Sequence, residues 1–151
     1  MALVNIKFTA GKGCVPVLEK RAVGWVHMVC SAAVDGVSFA GTKYSLPAAL
    51  YPLPALADAA GNVSHMLDKG MIELLLSVVR DDAQKGSEAV SFAIRALLRM
   101  ARASGECAQR MNLFKAPEAL EKHCGSGRAG DAANLAKLLA APELQVRNFT
   151  G

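Results

Sequence analysis

The sequence predicts an all-α protein, and three observations lead to that prediction. The chain has 151 residues, a length that supports one hydrophobic core or a few stacked helical repeats. Alanine and leucine, both strong helix formers, supply 27 and 18 of those residues. Apolar side chains recur at the three- and four-residue spacing of helices, and no segment has the convincing alternation of a strand. We therefore expect a single helical domain over residues 1–151.

The first predicted helix covers residues 16–33. Pro16 suits its opening turn, because the missing N–H would have no partner there. Its apolar face follows the series i, i+4, i+7, i+8, i+11, i+12, i+15 and consists of Leu18, Ala22, Trp25, Val26, Val29, Cys30 and Ala33. The pair Asp35-Gly36 is typical of a helix end, and residues 36–45, which contain two glycines and no periodicity, predict a loop.

Residues 47–67 have a helical composition that prolines interrupt. Pro52 and Pro54 would each cost ~3 kcal/mol inside a helix. We therefore expect a short turn at 47–51 and a helix that begins near Pro54. The next segment predicts a helix over residues 71–80, with an i, i+3, i+4, i+7 stripe formed by Ile72, Leu75, Leu76 and Val79.

The remaining helices show the same spacing. One carries the stripe Ile94, Leu97, Leu98 and Ala101. Ser104-Gly105 is its predicted end, and another turn and helix follow Pro117. Asp131 is a candidate cap for a last helix that stops before Pro142. Residues 142–151 are left as a short C-terminal tail.

Composition and charge exclude several classes of protein. Hydrophobic residues make up 52% of the chain and charged residues 20%, a balance unlike that of disordered tails. No apolar run approaches the ~20 residues of a membrane span, and the N-terminus lacks the regions of a secretory signal. The cysteines lie far apart, which is typical of reduced thiols. These features predict a soluble intracellular protein with no membrane contact, in the cytoplasm or alternatively the nucleus.

The chain resembles itself at an offset of 44 positions. Residues 48–61 then align with residues 92–105, and five of these fourteen positions are identical, against roughly one or two expected by chance. The identical pairs are Ala49/Ala93, Leu53/Leu97, Ala57/Ala101, Ala59/Ala103 and Gly61/Gly105. A period near 44 falls in the ~40–47 range of two- and three-helix repeats.

Two segments resemble the armadillo repeat family. Ala55-Leu56-Ala57 is followed by Asn62 and by Met66–Leu75, which is similar to the armadillo order of an Ala-Leu helix, a polar turn and a Leu-rich helix opened by glycine. Residues 96–101 with 115–120 look like a weaker copy, and residues 11–18 resemble the opening of the long third helix of a preceding unit.

This resemblance implies a right-handed α-solenoid of about two to three helical repeats. Its units are expected near residues 11–46, 47–90 and 91–140. Because each helical unit cannot bury its apolar stripe alone, such units stack into an extended surface without a deep pocket. The resemblance therefore implies a non-enzymatic scaffold that binds another protein, as one subunit of a larger assembly.

No pattern in the sequence identifies a catalytic, cofactor or metal site. Residues 125–130 spell G-x-G-x-x-G, but the strand that a dinucleotide site requires before this loop is missing. Residues 36–43 approach a phosphate-binding loop with Thr42 and Lys43 in reversed order. The chain's histidines lack metal-ligand spacing. A small enzyme using Cys107, His123 and Cys124 remains as a third hypothesis.

Five basic residues are the candidate partner-binding residues. Arg95, Arg99 and Arg102 recur at i, i+4 and i+7 beside the apolar stripe of one helix, and Arg110 and Lys115 follow. The formal net charge is +4, a modest excess. Such a patch fits an acidic protein or a phosphate-bearing partner. The alternative function is therefore a basic helical module that contacts RNA or DNA.

Overall fold

The computed structural model describes residues 17–125 and 129–141, and the regular secondary structure of that part of the chain consists of helices without strands. The helices are α1 (Lys20–Asp35), α2 (Leu46–Leu50), α3 (Leu53–Leu56), α4 (Ala60–Asp68), α5 (Met71–Arg80), α6 (Glu88–Ala103), α7 (Gly105–Leu113), α8 (Ala116–Glu121) and α9 (Ala129–Leu139), with a 3₁₀ turn at Asp82–Gln84. The all-α class predicted from the sequence is confirmed for these residues.

Helix α1 ends where the sequence predicts. Gly36 adopts a left-handed conformation with φ of 70°, and its N–H donates to the carbonyls of Ala32 and Ala33. Glycine reaches this conformation without the steric penalty of a Cβ atom, so it terminates the helix. The predicted opening at Pro16 lies outside the described residues, and so do the predicted unit start at 11–16 and the tail at 142–151.

The prolines divide the next segment between α2 and α3 as expected, but the helix predicted from Pro54 is wrong in extent, because residues 57–59 break it into α3 and α4. Pro47 lies in the first turn of α2, after Ser45, whose hydroxyl accepts a hydrogen bond from the N–H of Ala48. Pro52 precedes α3, and Pro54 lies in its first turn. The N–H groups at the start of a helix have no carbonyl partner within that helix. A proline at each of these positions therefore breaks no helical hydrogen bond.

Helix α7 is absent from the sequence prediction. Ser104 ends α6, and its side chain accepts a hydrogen bond from the N–H of Cys107, so it also caps α7. One extended residue thus separates two helices, and a serine-glycine pair resembles a loop when only its composition is considered. Asp131 lies in the first turn of α9 rather than before the helix.

The helices pack in two rows, and two further helices, α4 and α7, pack against these rows. The first row consists of α2 and α3, then α6, then α9, so that α6 lies in the middle. In the second row α5 lies between α1 and α8. Helix α4 packs on α1 and α5, whereas α7 packs on α6, α8 and α9. Leu50, Leu75, Leu97, Met111 and Leu135 are fully buried and come from five helices, so one core joins both rows.

Three hydrogen bonds connect residues 44 or 45 positions apart in the sequence. The side chain of Asn62 accepts from the N–H of Leu18 at 2.7 Å, across 44 positions. The ring of His123 bonds the carbonyl of Val79 at 2.9 Å, also across 44 positions, and Arg99 donates to the carbonyl of Pro54 across 45. Val79 and Pro54 lie in the last turns of α5 and α3, where carbonyls have no helical partner. Side chains from the following segment therefore cap the preceding helices.

The helix bounds do not match the predicted repeat borders. The border between residues 46 and 47 falls inside α2, and the border between 90 and 91 falls inside α6. Gly105 lies 45 residues after Ala60, and Leu113 lies 45 residues after Asp68, so α4 and α7 have equal length at nearly the predicted period.

Cys30 joins α1 to α2. Its thiol is fully buried and donates to the carbonyl of Ala49 at 3.4 Å. Burial raises the pKa of the Cys30 thiol from 9.0 to about 12, because the thiolate would lose its hydration. The thiol therefore stays protonated in the folded protein over a pH range in which the unfolded chain ionises.

We expect the stability of the protein to fall as the pH rises from 9 towards 12. The unfolded chain releases the Cys30 proton in this range and the folded chain keeps it, which favours unfolding by up to about 1.4 kcal/mol per pH unit. Urea unfolding at a series of pH values measures this slope. Cys30→Ala should flatten it, whereas Ser31→Ala, the neighbouring control, should keep it. Equal slopes in the parent and Cys30→Ala would contradict the assignment.

Candidate interaction surface

Helix α6 exposes one narrow strip. Nine of its sixteen residues are buried, because neighbouring helices cover most of its circumference. The exposed and half-exposed positions recur at three- and four-residue intervals, which places them on one line along the helix. We name the part of this line from Ser91 to Arg102 the α6 strip. It consists of Ser91, Phe92, Arg95, Arg99 and Arg102, and the exposed Glu88 lies one turn before it. Three of the five predicted residues therefore lie together on one surface.

Two arginines of the α6 strip form ion pairs with neighbouring helices of the same row. Nη1 of Arg99 lies 3.3 Å from a carboxylate oxygen of Asp58, just after α3, and 2.7 Å from the carbonyl oxygen of Pro54. Nε of Arg95 lies 3.6 Å from a carboxylate oxygen of Asp131 in α9. All four side chains are more than a third exposed, so each pair contributes at most about 1 kcal/mol. Their main effect is to hold the guanidinium group of Arg95 over the contact between α6 and α9, and that of Arg99 over the contact between α6 and α3.

The other three basic residues differ from this pattern. Within residues 17–125 and 129–141, Arg102 is exposed and has no ion pair. Arg110 on α7 pairs with Glu73 on α5 at 3.1 Å, so it connects the second row rather than the first. Lys115 is exposed between α7 and α8 and has a left-handed backbone with φ of 56°.

Lys115 is strained, and we expect Lys115→Gly to stabilise the protein by about 1 kcal/mol. A left-handed backbone crowds the Cβ atom of a non-glycine residue, at a cost of roughly 1–2 kcal/mol. Glycine removes that cost but gains entropy in the unfolded chain, which offsets part of the gain. Thermal and urea unfolding measure the effect. Lys137→Gly, at an exposed position within helix α9, is the contrasting control and should destabilise by about 1 kcal/mol. A destabilised Lys115→Gly variant would contradict the argument.

A cleft of about 580 Å³ lies at one end of the α6 strip. Its walls come from the start of α6, the end of α8 and the start of α9, and they include Lys85, Ser91, Arg95, Lys122 and Asp131. Phe92 also lines it and makes an edge-to-face contact with Tyr51, with ring centroids 5.5 Å apart. The cleft therefore offers both charged groups and aromatic surface next to Arg95.

The buried His123 serves a structural contact in this region. Because a carbonyl only accepts, the Nε2 of His123 must carry the proton in its bond to Val79. Lys122 donates to the carbonyl of Arg80 at 2.8 Å and to a carboxylate oxygen of Asp82 at 2.5 Å. The hydrogen bond and charge of Lys122 lower the pKa of Asp82. The pair Lys122-His123 thus caps the end of α5.

The cysteines of the enzyme hypothesis have unfavourable surroundings for a nucleophile. Burial raises the pKa of Cys107, which disfavours the reactive thiolate. The thiol of Cys124 donates to the carbonyl of Leu120 at 3.3 Å, within the same turn of chain. His123 directs its Nε2 proton to Val79 and not to either sulfur.

The glycine-containing loop at residues 36–43, after α1, forms a tight turn and has no helix directly after it. Residues 39–42 form a tight turn in which Ala40 and Gly41 both have positive φ, and Phe39 and Thr42 exchange backbone hydrogen bonds. Of the G-x-G-x-x-G segment at 125–130, residues 126–128 lie outside the described part of the chain. Among the described residues, no cluster of histidine, cysteine and carboxylate side chains suits a metal ion, and no helix is long and apolar enough to cross a bilayer.

Sequence analysis identified the arginines but not their partners. Asp58 and Asp131 lie 41 residues before Arg99 and 36 residues after Arg95, and nothing in the local sequence connects them. Lys85 and Lys122 were likewise missed as walls of the cleft. The 44-residue period was the signal available for Asp58, since it predicts that residues near 55 and 99 lie side by side.

The described chain is an all-helical protein whose exposed polar features are a strip of arginines and an adjoining cleft. Comparison with models of protein families, with curated proteins and with solved structures gave no match in any of the three. Evidence on function therefore comes from the chain itself.

Proposed function

We propose that the protein is an armadillo-like helical-repeat module that binds another protein and takes part in a larger assembly. The observation that supports repetition is the set of hydrogen bonds across 44 or 45 positions, at Leu18–Asn62, Pro54–Arg99 and Val79–His123. The equal lengths of α4 and α7 point the same way. We infer units made of α1 to α3, α4 to α6 and α7 to α9, with the right-handed stacking that the resemblance implies.

The α6 strip is the surface we assign to the partner. It belongs to the middle helix of the first row, so a partner lying across it would also contact α3 and α9. Two of its guanidinium groups are already held by ion pairs, which lowers the side-chain entropy lost on binding. Arg102 is free to pair with an incoming carboxylate, and each guanidinium presents five N–H donors.

The chemistry of the strip favours an acidic protein segment. Three arginines at successive turns match carboxylates spaced along an extended or helical segment, and bidentate pairing suits arginine. The cleft beside Arg95 has a volume of about 580 Å³ and Phe92 in its wall, so it can take an apolar side chain of the partner. The only aromatic residue on the strip is Phe92, so it lacks the series of stacking platforms typical of single-strand nucleic-acid grooves.

Fluorescence anisotropy with a labelled peptide of glutamate and aspartate residues tests the proposal. We expect Arg102→Glu to weaken binding roughly tenfold or more, since it replaces attraction by repulsion without breaking an ion pair of the folded chain. Lys137→Glu on α9 makes the same change of charge at an exposed position outside the strip and should bind within a factor of about two of the parent.

Two outcomes would overturn this assignment. If the acidic peptide binds no better than a lysine-rich peptide of equal length, the strip does not select carboxylates. If single-stranded RNA or duplex DNA binds instead, with affinity that falls steeply as salt rises, the basic residues contact phosphates and the alternative function is correct.

A further inference from the structure

The outer face of α1 carries a second feature, independent of the arginine strip. Five residues spaced alternately four and three apart lie along it, namely Arg21, Trp25, Met28, Ala32 and Asp35. We name this line the α1 seam. Trp25 is 56% exposed and Met28 is 51% exposed, which is unusual for large apolar side chains. The opposite side of α1 packs on α2, α4 and α5 through Ala22, Val26, Val29 and Ala33.

The spacing of the α1 seam is that of a helix pair. Residues that alternate four and three apart repeat every 3.5 residues on average, which keeps them facing a second helix over the whole contact. Helix α1 has 16 residues and is the outermost helix at one end of the second row. None of the other described helices covers its seam.

The charges at the two ends of the seam specify an orientation. Arg21 lies near the start of α1 and Asp35 at its end, with Met28 midway between them. Two copies of α1 in parallel would bring Arg21 beside Arg21 and Asp35 beside Asp35. In the antiparallel orientation, each Arg21 approaches Asp35 of the other copy, and the two Met28 side chains meet at the centre. The seam is therefore complementary to itself about a two-fold axis.

We propose that α1 is a homodimerisation helix, and that the ligand of its outer face is the α1 seam of a second copy of this chain. The contact involves one 16-residue helix from each protomer. Interfaces below about 1,200 Å² are characteristic of weak association. The dimer therefore forms in the micromolar range and dissociates on dilution. This inference does not depend on the proposed binding of an acidic partner, which uses a different helix.

Trp25 is the chain's single tryptophan, so its fluorescence reports on the seam directly. We expect its emission to shift to shorter wavelength as the concentration rises from micromolar to hundreds of micromolar, because dimerisation removes the indole from water. Sedimentation velocity on the same samples should show the mass rising from one chain to two. A chain that remains monomeric over this range, with unchanged emission, overturns the proposal.

Variants separate the seam from the rest of α1. Met28→Glu places two carboxylates at the crossing point and should weaken dimerisation by at least roughly tenfold. Val34→Glu makes the same kind of change on the same helix but off the seam, and should leave the dissociation constant within about twofold of the parent. Circular dichroism confirms that both variants fold. Equal dimerisation of Met28→Glu and the parent would overturn the proposal.

A charge exchange tests the orientation. Arg21→Glu and Asp35→Lys should each weaken the dimer, because each places like charges at both ends of the seam. The double variant restores opposite charges in the antiparallel pair and should recover most of the affinity. Failure of the double variant to recover, while Met28→Glu still disrupts the dimer, would contradict antiparallel pairing. If Met28→Glu binds the acidic peptide with the affinity of the parent, the α1 seam and the α6 strip act separately.

Discussion

Asn62→Leu is expected to lower the free energy of unfolding by about 2–4 kcal/mol. The side chain of Asn62 is fully buried and accepts from the N–H of Leu18 while it donates to the carbonyl of Leu56 at 3.1 Å. Leucine has a similar volume, so the change leaves the packing nearly intact but removes both hydrogen bonds. A buried backbone group without a partner costs about 1–3 kcal/mol, and two groups are affected here.

Urea unfolding followed by circular dichroism measures this loss. Asn134→Leu in α9 makes the same substitution at an exposed position and should change the unfolding free energy by less than about 0.5 kcal/mol. Asn62→Asp keeps the acceptor for Leu18 but not the donor for Leu56, so it should also destabilise. An Asn62→Leu variant as stable as the parent would show that these two bonds do not hold the start of α1 against α3.

Leu97→Ala is expected to destabilise the protein by about 3–5 kcal/mol. Leu97 is fully buried in α6, the helix that lies between α3 and α9 and also packs on α5. Its truncation removes apolar contacts and leaves a cavity that surrounding helices on several sides prevent from collapsing. Because α6 joins both rows, the loss should lower the stability of the whole chain and not of one segment.

Leu113→Ala is the matched control. Leu113 is 73% exposed at the end of α7, so the same chemical change should cost less than about 0.5 kcal/mol. Thermal and urea unfolding of both variants should show single transitions, with a shift only for Leu97→Ala. Two separate transitions in Leu97→Ala would mean that the rows unfold independently and that α6 does not couple them.

Much of the fold could be predicted from the sequence, because helix positions depend on the pattern of residues close together in the chain. The stripe Ile72, Leu75, Leu76 and Val79 gave α5 with its observed bounds, because an apolar face with helical spacing is a short-range signal. Gly36 marked the end of α1 for an equally local reason, the left-handed backbone that glycine tolerates. Ser104 shows the limit of such signals, since one residue served both as the end of α6 and as the cap of α7.

The candidate surfaces could be predicted from the sequence only in part. The spacing of Arg95, Arg99 and Arg102 predicted a common face, and all three lie on the α6 strip. Their exposure was not predictable, because it depends on which parts of α6 the helices α3 and α9 leave uncovered. The sequence placed Trp25 on the apolar face of α1, whereas the structure leaves it largely exposed. Periodicity identifies a face but not whether another helix lies against it.

The sequence by itself determined the helical class, most helix positions and a period near 44, because each depends on residues within a few turns of one another or on a repeated pattern. The tertiary structure decided the hydrogen bonds of Asn62 and His123, and which sides of α1 and α6 face solvent. These features depend on contacts between residues more than 40 positions apart. Local propensity carries no information about such contacts, since packing of the whole core selects them.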